Sequence, residues 1–146
     1  MRAVSGQLLV LFIFLTSCMD ESIAEKLYSK CKEKDKCIQQ VKQVTNFKWE
    51  KVYIFSVQAN LEYIEKILGV PYKQWKDVGD RIIFVDKGKV VYHEEYFPYP
   101  EQIENGSTFF EINKDTYVGQ YNTAVFSVEK QENDKREWYY VIKPIQ

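Results

Sequence analysis

The sequence predicts an α+β domain in which a mainly antiparallel, twisted β-sheet carries one packed helix and follows a short helical segment. Apolar residues at helical spacing are confined to two early segments, Glu21–Val44 and Ala59–Leu68. β-rich runs dominate the rest of the chain, without the repeated βαβ alternation of a parallel sheet. A chain of 146 residues, 45% hydrophobic and 28% charged, also has the size and composition of one globular domain.

The N-terminus has the features of a secretory signal peptide. Arg2 and the amino terminus supply positive charge, and Leu8–Leu15 reads LLVLFIFL before a short run of small residues. This apolar run is well short of the ~20 residues that a transmembrane helix needs. We therefore predict export rather than a membrane-spanning helix.

The end of that stretch, Leu15-Thr16-Ser17-Cys18, resembles the lipobox of bacterial lipoproteins, in which an aliphatic residue and two small residues precede a cysteine. The resemblance implies that residues 1–17 are removed and that Cys18 is lipidated. Residues 18–146 would then form a single periplasmic domain on a membrane anchor. Several acyl chains would hold it stably, because each buried CH₂ contributes ~0.8 kcal/mol. An ordinary secretory signal with a coincidental cysteine is the alternative.

The residue after Cys18 bears on the destination of such a lipoprotein. In the enterobacterial sorting rule, Asp at that position retains the protein in the inner membrane, whereas this chain has Met19. For a Gram-negative source, the resemblance therefore implies the outer membrane, with the domain facing the periplasm.

The two remaining cysteines constrain the first helical segment. An even pair in an exported chain usually forms a disulfide, and neither a His nor a third Cys stands near Cys31 and Cys37 to complete a zinc site. In one continuous helix, residues six apart are separated by ~9 Å of rise. A disulfide requires Cα atoms within ~7 Å. We therefore predict a disulfide and a turn at Lys32–Lys36 between two short helices, with free thiols as the alternative.

The remaining elements follow from β-rich runs and turn residues. The helix in Ala59–Leu68 ends at Gly69 and Pro71. Asp86-Lys87-Gly88 is typical of a hairpin turn, and the charged Gln131–Lys135 loop predicts a second hairpin. The predicted strands are Lys48–Val57, Arg81–Asp86, Lys89–Phe97, Ser107–Ile112, Thr123–Glu129 and Glu137–Lys143.

One stretch of the domain, IEKILGVP followed by a hairpin, resembles small envelope lipoproteins of the BamE and lysozyme-inhibitor-like group. These proteins pair helices with an antiparallel sheet, which agrees with the predicted fold. The shared stretch contains no functional residue that can be transferred to this chain.

The sequence gives little support for an enzymatic role. His93 is the only histidine, which excludes any site that needs two. Glu94 and Glu95 are adjacent on a predicted strand, so they face opposite sides and cannot act together as an acid/base pair. We expect no enzymatic activity, no cofactor and no metal. A net charge of −1 and an export signal also argue against nucleic acid as a partner.

The aromatic content suggests a protein-binding role instead, because Tyr and Trp are frequent in binding hot spots. The chain has 9 Phe, 11 Tyr and 3 Trp. We predict that partner contacts come from one segment at the end of the second hairpin strand and just beyond it, and from a second aromatic loop around Gly119. The residues are Glu94, Glu95, Tyr96, Phe97 and Tyr99 in the first, and Tyr117 and Tyr121 in the second. The alternative is that these rings fill the core and the strands.

Strand alternation refines this prediction. Tyr92, Glu94 and Tyr96 share one face of their strand, and His93, Glu95 and Phe97 share the other. We expect one of these two faces to be buried.

The leading hypothesis is a non-enzymatic lipoprotein that binds and blocks another protein. Small lipidated domains of this kind resemble immunity proteins and inhibitors, which plug the active cleft of a periplasm-acting toxin or lytic enzyme. A structural accessory lipoprotein of envelope assembly is the second hypothesis. A small periplasmic enzyme or ligand binder that uses His93 and Glu95 is the third.

Overall fold

A computed structural model describes residues 21–32, 34–77, 79–96 and 103–145. They form an α+β fold, as predicted. The helices are α1 (Ile23–Ser29) and α2 (Leu61–Leu68). The strands are β1 (Lys36–Gln40), β2 (Lys51–Phe55), β3 (Asp80–Asp86), β4 (Lys89–Tyr96), β5 (Ser107–Phe110), β6 (Thr116–Gln120), β7 (Val125–Glu132) and β8 (Trp138–Ile145). Neither helix of this described part is long and apolar enough to cross a bilayer.

The strands are divided between two four-stranded sheets. The first sheet has the order β1-β7-β8-β5 and the second has the order β4-β3-β2-β6. The pairings are antiparallel except for β5 with β8, which run parallel. Both predicted hairpins are present, β3–β4 around Lys87 and Gly88 and β7–β8 around the 133–136 turn.

The two central strands of the second sheet, β2 and β3, are buried on both faces. One face of β2 and β3, with Val52, Ile54, Ile82 and Phe84, packs against the first sheet. The other face packs against α2. This explains why β3 is apolar on successive residues, since each face of the strand must be excluded from water. Fully burying a side chain of this size contributes about 1.5–3 kcal/mol, so each of these core residues stabilises the fold.

The N-terminal segment folds as one helix and one strand. A capping box at Ser22 and Glu25 begins α1, which buries Ile23 and Leu27 in the core between the sheets. The Cα atoms of Cys31 and Cys37 lie 5.4 Å apart and the two residues form the predicted disulfide, with the chain turning between them.

The prediction of a second short helix after the turn is wrong. Residues Lys36–Gln40 form β1, and only a 3₁₀ turn at Val41–Gln43 follows. The helical spacing of Ile38, Val41 and Val44 was misleading, because Val41 is buried whereas Ile38 is 63% exposed. Pairing with β7 satisfies the backbone of this segment in extended form, and such tertiary pairing overrides a weak local helical preference.

The prediction of an aromatic loop around Gly119 is also wrong, because this segment forms strand β6, which pairs with β2. The Tyr117 ring lies across Gly119, and a Cβ at that position would stand 2.6 Å from the Tyr117 hydroxyl oxygen. Glycine therefore permits the close approach. By contrast, the predicted helix α2 ends as expected at Gly69, whose φ of 72° is left-handed.

Candidate functional site

The structure places the predicted binding residues at two opposite edges of the second sheet. Glu94, Glu95 and Tyr96 lie on edge strand β4, whereas Tyr117 lies on β6 and Tyr121 follows it directly. The two groups therefore do not form one surface. The predicted residues Phe97 and Tyr99, and the predicted lipidation residue Cys18, lie outside the described residues.

The face of β4 that carries Tyr92, Glu94 and Tyr96 is turned towards the core between the two sheets, a choice between the two faces that alternation left open. The Glu94 carboxylate accepts hydrogen bonds from both tyrosine hydroxyls. It also accepts the backbone N–H of Ile23, at 3.0 and 3.1 Å from its two oxygens. The Tyr96 ring meets the Phe110 ring edge-on at 5.1 Å. Glu94 thus joins β4 to the first turn of α1.

Burial controls the ionisation of this carboxyl group. Desolvation raises the pKa of Glu94 above its ordinary value of 4.5, although its hydrogen bonds to Tyr92 and to the Ile23 N–H act in the opposite direction. This geometry assigns Glu94 a structural role, since its oxygens are already occupied by groups of the same chain.

The opposite face of β4 brings His93 and Glu95 close to Tyr72. The Tyr72 hydroxyl lies 3.2 Å from His93 Nδ1. Burial first, and then the negative charge of Glu95, raise the pKa of Tyr72 to about 12. Oε1 of Glu95 is buried and has no hydrogen-bond partner among the described residues.

Arg81 completes this polar group, because it pairs with Glu95 in the β3–β4 register and is fully buried. Its terminal nitrogens donate to the carbonyl oxygens of Ala59, Lys76 and Gly79 at 2.9–3.2 Å. Sequence reasoning missed both Arg81 and Tyr72. Alternation could have identified Arg81, since it shares a strand face with the apolar Ile83 and Val85.

A cleft of about 760 Å³ opens where β4 ends. We call it the acidic cleft, because four carboxylates and one lysine are among its lining residues. The residues that define it are Glu25, Glu95, Tyr96, Glu104, Lys135 and Glu137.

The carboxylates of the acidic cleft differ in their freedom to bind a partner. Glu25 accepts the Ser22 N–H in the capping box, and Glu137 accepts the Asn133 side-chain amide at 2.9 Å. Glu104 is exposed at the mouth. A concave surface with an excess of one sign of charge focuses its field and attracts the opposite charge. The acidic cleft is therefore suited to a basic group.

The two tyrosines predicted around Gly119 differ in burial, since Tyr117 packs in the core and Tyr121 lies on the surface. The Tyr117 ring contacts Phe126 at 5.7 Å, and burial raises the pKa of Tyr117. Tyr121 is exposed, rests edge-on against Trp49 at 4.9 Å and lies 5.7 Å from the Lys42 ammonium group. Of this pair, Tyr121 is the residue open to a partner.

Within the described ranges, no group of three or more His, Cys, Asp or Glu side chains is arranged to hold a metal ion. Comparisons of the chain with protein-family models, curated protein sequences and solved structures give no match.

Proposed function

We propose that this chain is an outer-membrane lipoprotein, anchored through lipid on Cys18, that faces the periplasm and binds and blocks another protein. The lipobox behind an apolar export stretch supports the anchor. One observation carries the binding role: Glu95 and Tyr96, selected from the sequence, line the acidic cleft together with three further carboxylates. An immunity protein or inhibitor against a periplasm-acting toxin or lytic enzyme is the specific form of this proposal.

The chemistry of the acidic cleft defines the partner. Its carboxylates would receive Lys or Arg side chains, and the Tyr96 ring, whose hydroxyl is bonded to Glu94, forms a rigid part of the lining beside them. Opposite charge on the two surfaces accelerates encounter and sets orientation more than it raises affinity. Blocking would be steric, and the lipid would hold the domain in the compartment where the toxin acts.

Affinity purification of the full chain from its native envelope tests the proposal. We expect the wild-type chain to retain a basic protein partner and Glu104→Lys to lose most of it, because the charge at the mouth is reversed. Glu62→Lys is the matched control, since Glu62 is exposed on α2, which covers the other side of the second sheet. Recovery of no partner above background, or equal recovery by both variants, would overturn the proposal.

Deletion separates this proposal from an accessory role in envelope assembly. An immunity protein predicts death only when the cognate toxin is present, whereas an accessory protein predicts envelope defects in pure culture. A toxin gene adjacent to this one would favour immunity without further experiment.

Ligand binding by His93 and Glu95 is a second candidate function. It is favoured by the buried Oε1 of Glu95, which lacks a hydrogen-bond partner among the described residues, beside the Tyr72–His93 contact. Loss of a measured activity or ligand affinity in a folded His93→Ala variant would favour this candidate over protein binding.

A further inference from the structure

Strand β6 forms an edge of the second sheet without the usual protection of an edge strand. Its sequence, Thr116 to Gln120, contains neither a charged residue nor a proline. The edge strands β1 and β4 carry charged residues, including Lys36 and Lys89, and β5 is only four residues long. Proteins commonly use charge, proline or shortness to keep edge strands from pairing with other chains.

The β2–β6 register identifies which backbone groups point outward. The Tyr121 N–H donates to the Glu50 carbonyl, and the Ser56 N–H donates to the Asp115 carbonyl, both at 2.9 Å. Hydrogen-bonded pairs recur at every second residue, so residues 115, 117, 119 and 121 face β2. The backbone N–H and C=O groups of Thr116 and Val118 therefore point away from the sheet, and within the described part of the chain they have no partner.

This edge is complementary to itself. If two copies pair antiparallel about a two-fold axis at Val118, each Val118 exchanges two hydrogen bonds with its counterpart. The Gln120 N–H of each copy then reaches the Thr116 carbonyl of the other. The Gln120 carbonyl adds no bond across the axis, because it already accepts the Ala124 N–H at 2.8 Å. Four hydrogen bonds follow from the register alone.

Charge and apolar surface favour the same pairing. The register sets Lys114 opposite Asn122 and Asp115 opposite Tyr121 of the other copy, so no like charges meet across the axis. On the α2 side of the sheet, Val118 is 47% exposed.

Two residues of α2 extend this apolar surface. Tyr63 is 38% exposed and Ile67 is 36% exposed, one helical turn apart. The Tyr63 hydroxyl lies 3.1 Å from Thr116 Oγ1, which places α2 beside the β6 edge. A two-fold axis normal to the sheet keeps both α2 helices on the same side, so the apolar surface of one copy lies next to the same surface of the other.

We infer that two copies of this chain associate through β6, forming a continuous eight-stranded sheet flanked by the two α2 helices. A two-fold interface requires one patch that is complementary to itself, and β6 meets that requirement. The inference extends beyond the proposed function, because the acidic cleft lies at the β4 edge on the opposite side of the sheet.

Oxidative cross-linking tests the pairing directly. In a hydrogen-bonded antiparallel pair, opposing Cα atoms lie ~5.5 Å apart, which is within disulfide range. We expect Val118→Cys in the full chain, reconstituted in membranes, to form a covalent dimer on oxidation. Val91→Cys, similarly exposed at 42% but on β4, is the matched control and should remain largely uncross-linked. Equal cross-linking of the two variants would overturn the inference.

Sedimentation velocity of the full chain in detergent gives the second measurement. We expect a dimer for the wild-type chain and at least a tenfold higher dissociation constant for Val118→Lys, which sets two ammonium groups against each other at the axis. Val91→Lys and Glu104→Lys should remain dimeric. A monomeric wild-type chain, or an unchanged dimer in Val118→Lys, would overturn the inference. A monomer whose protein partner is lost in Val118→Lys would assign the edge to a foreign strand instead.

Discussion

Replacing Glu94 with leucine tests the role of the carboxylate that joins β4 to α1. In Glu94→Leu the side chain keeps much of its volume but loses both acceptor oxygens. The Tyr92 and Tyr96 hydroxyls and the Ile23 N–H, which donate to Glu94 in the wild-type chain, then lose that acceptor in a half-buried site. Leaving a donor unsatisfied costs more than the net stabilisation of an ordinary hydrogen bond.

The expected loss of stability is worked from two of these donors, the Tyr96 hydroxyl and the Ile23 N–H. Each buried donor that loses its acceptor costs about 1–3 kcal/mol. Removing the partly desolvated carboxylate recovers some of this, since burial of Glu94 opposes its ionisation. We expect a net decrease of about 3 kcal/mol in the free energy of unfolding, or roughly 10 °C in Tm for a domain of this size.

Urea unfolding followed by tryptophan fluorescence measures this change at pH 7. The double variant Glu94→Leu/Tyr96→Phe should regain about 1 kcal/mol, because the unsatisfied hydroxyl is removed while the ring still packs against Phe110. Glu132→Leu, at an exposed position, is the control and should change stability by less than about 0.5 kcal/mol. A loss below about 0.5 kcal/mol in Glu94→Leu, or no recovery in the double variant, would refute the reasoning.

Three further predictions concern pH, packing and the disulfide. Because the pKa of Glu94 is raised in the folded chain, its protonation stabilises that state as the pH falls from neutral towards 4.5. The stability difference between wild type and Glu94→Leu should therefore widen between pH 7 and pH 5 in urea titrations, and a constant difference would contradict this. Gly119→Ala should lose about 1–3 kcal/mol by overpacking against Tyr117, and adding Tyr117→Phe should restore part of that loss in thermal unfolding. Cys31→Ala/Cys37→Ala should unfold with about 2 kcal/mol less stability, as a loop of this length predicts, and an unchanged urea midpoint would exclude a stabilising bridge.

Short-range sequence patterns were sufficient to predict several elements of the fold. Gly69 ends α2 as predicted, and the turn at Lys87 and Gly88 forms the expected hairpin. The disulfide followed from an even cysteine pair in a chain predicted to be exported, and distance then required a turn, because an unbroken helix cannot bring Cys31 and Cys37 together. Alternation on β4 also predicted correctly that Tyr92, Glu94 and Tyr96 would share one face, although only the structure decided that this face is the one turned inward.

Long-range pairing decided the rest. Whether Ile38 belonged to a helix or a strand depended on β7, which lies about ninety residues later in the chain. The acidic cleft likewise combines α1, the end of β4 and two later loops, so no single segment predicts it.

The sequence by itself determined the fold class, the disulfide and the division of β4 into two faces, because each depends on residues a few positions apart. Only the tertiary structure decided that the strands form two sheets, that Glu94 holds α1, and that β6 is a free edge. These features depend on which distant strands pair, and pairing is set by the burial of apolar faces throughout the chain rather than by any local pattern.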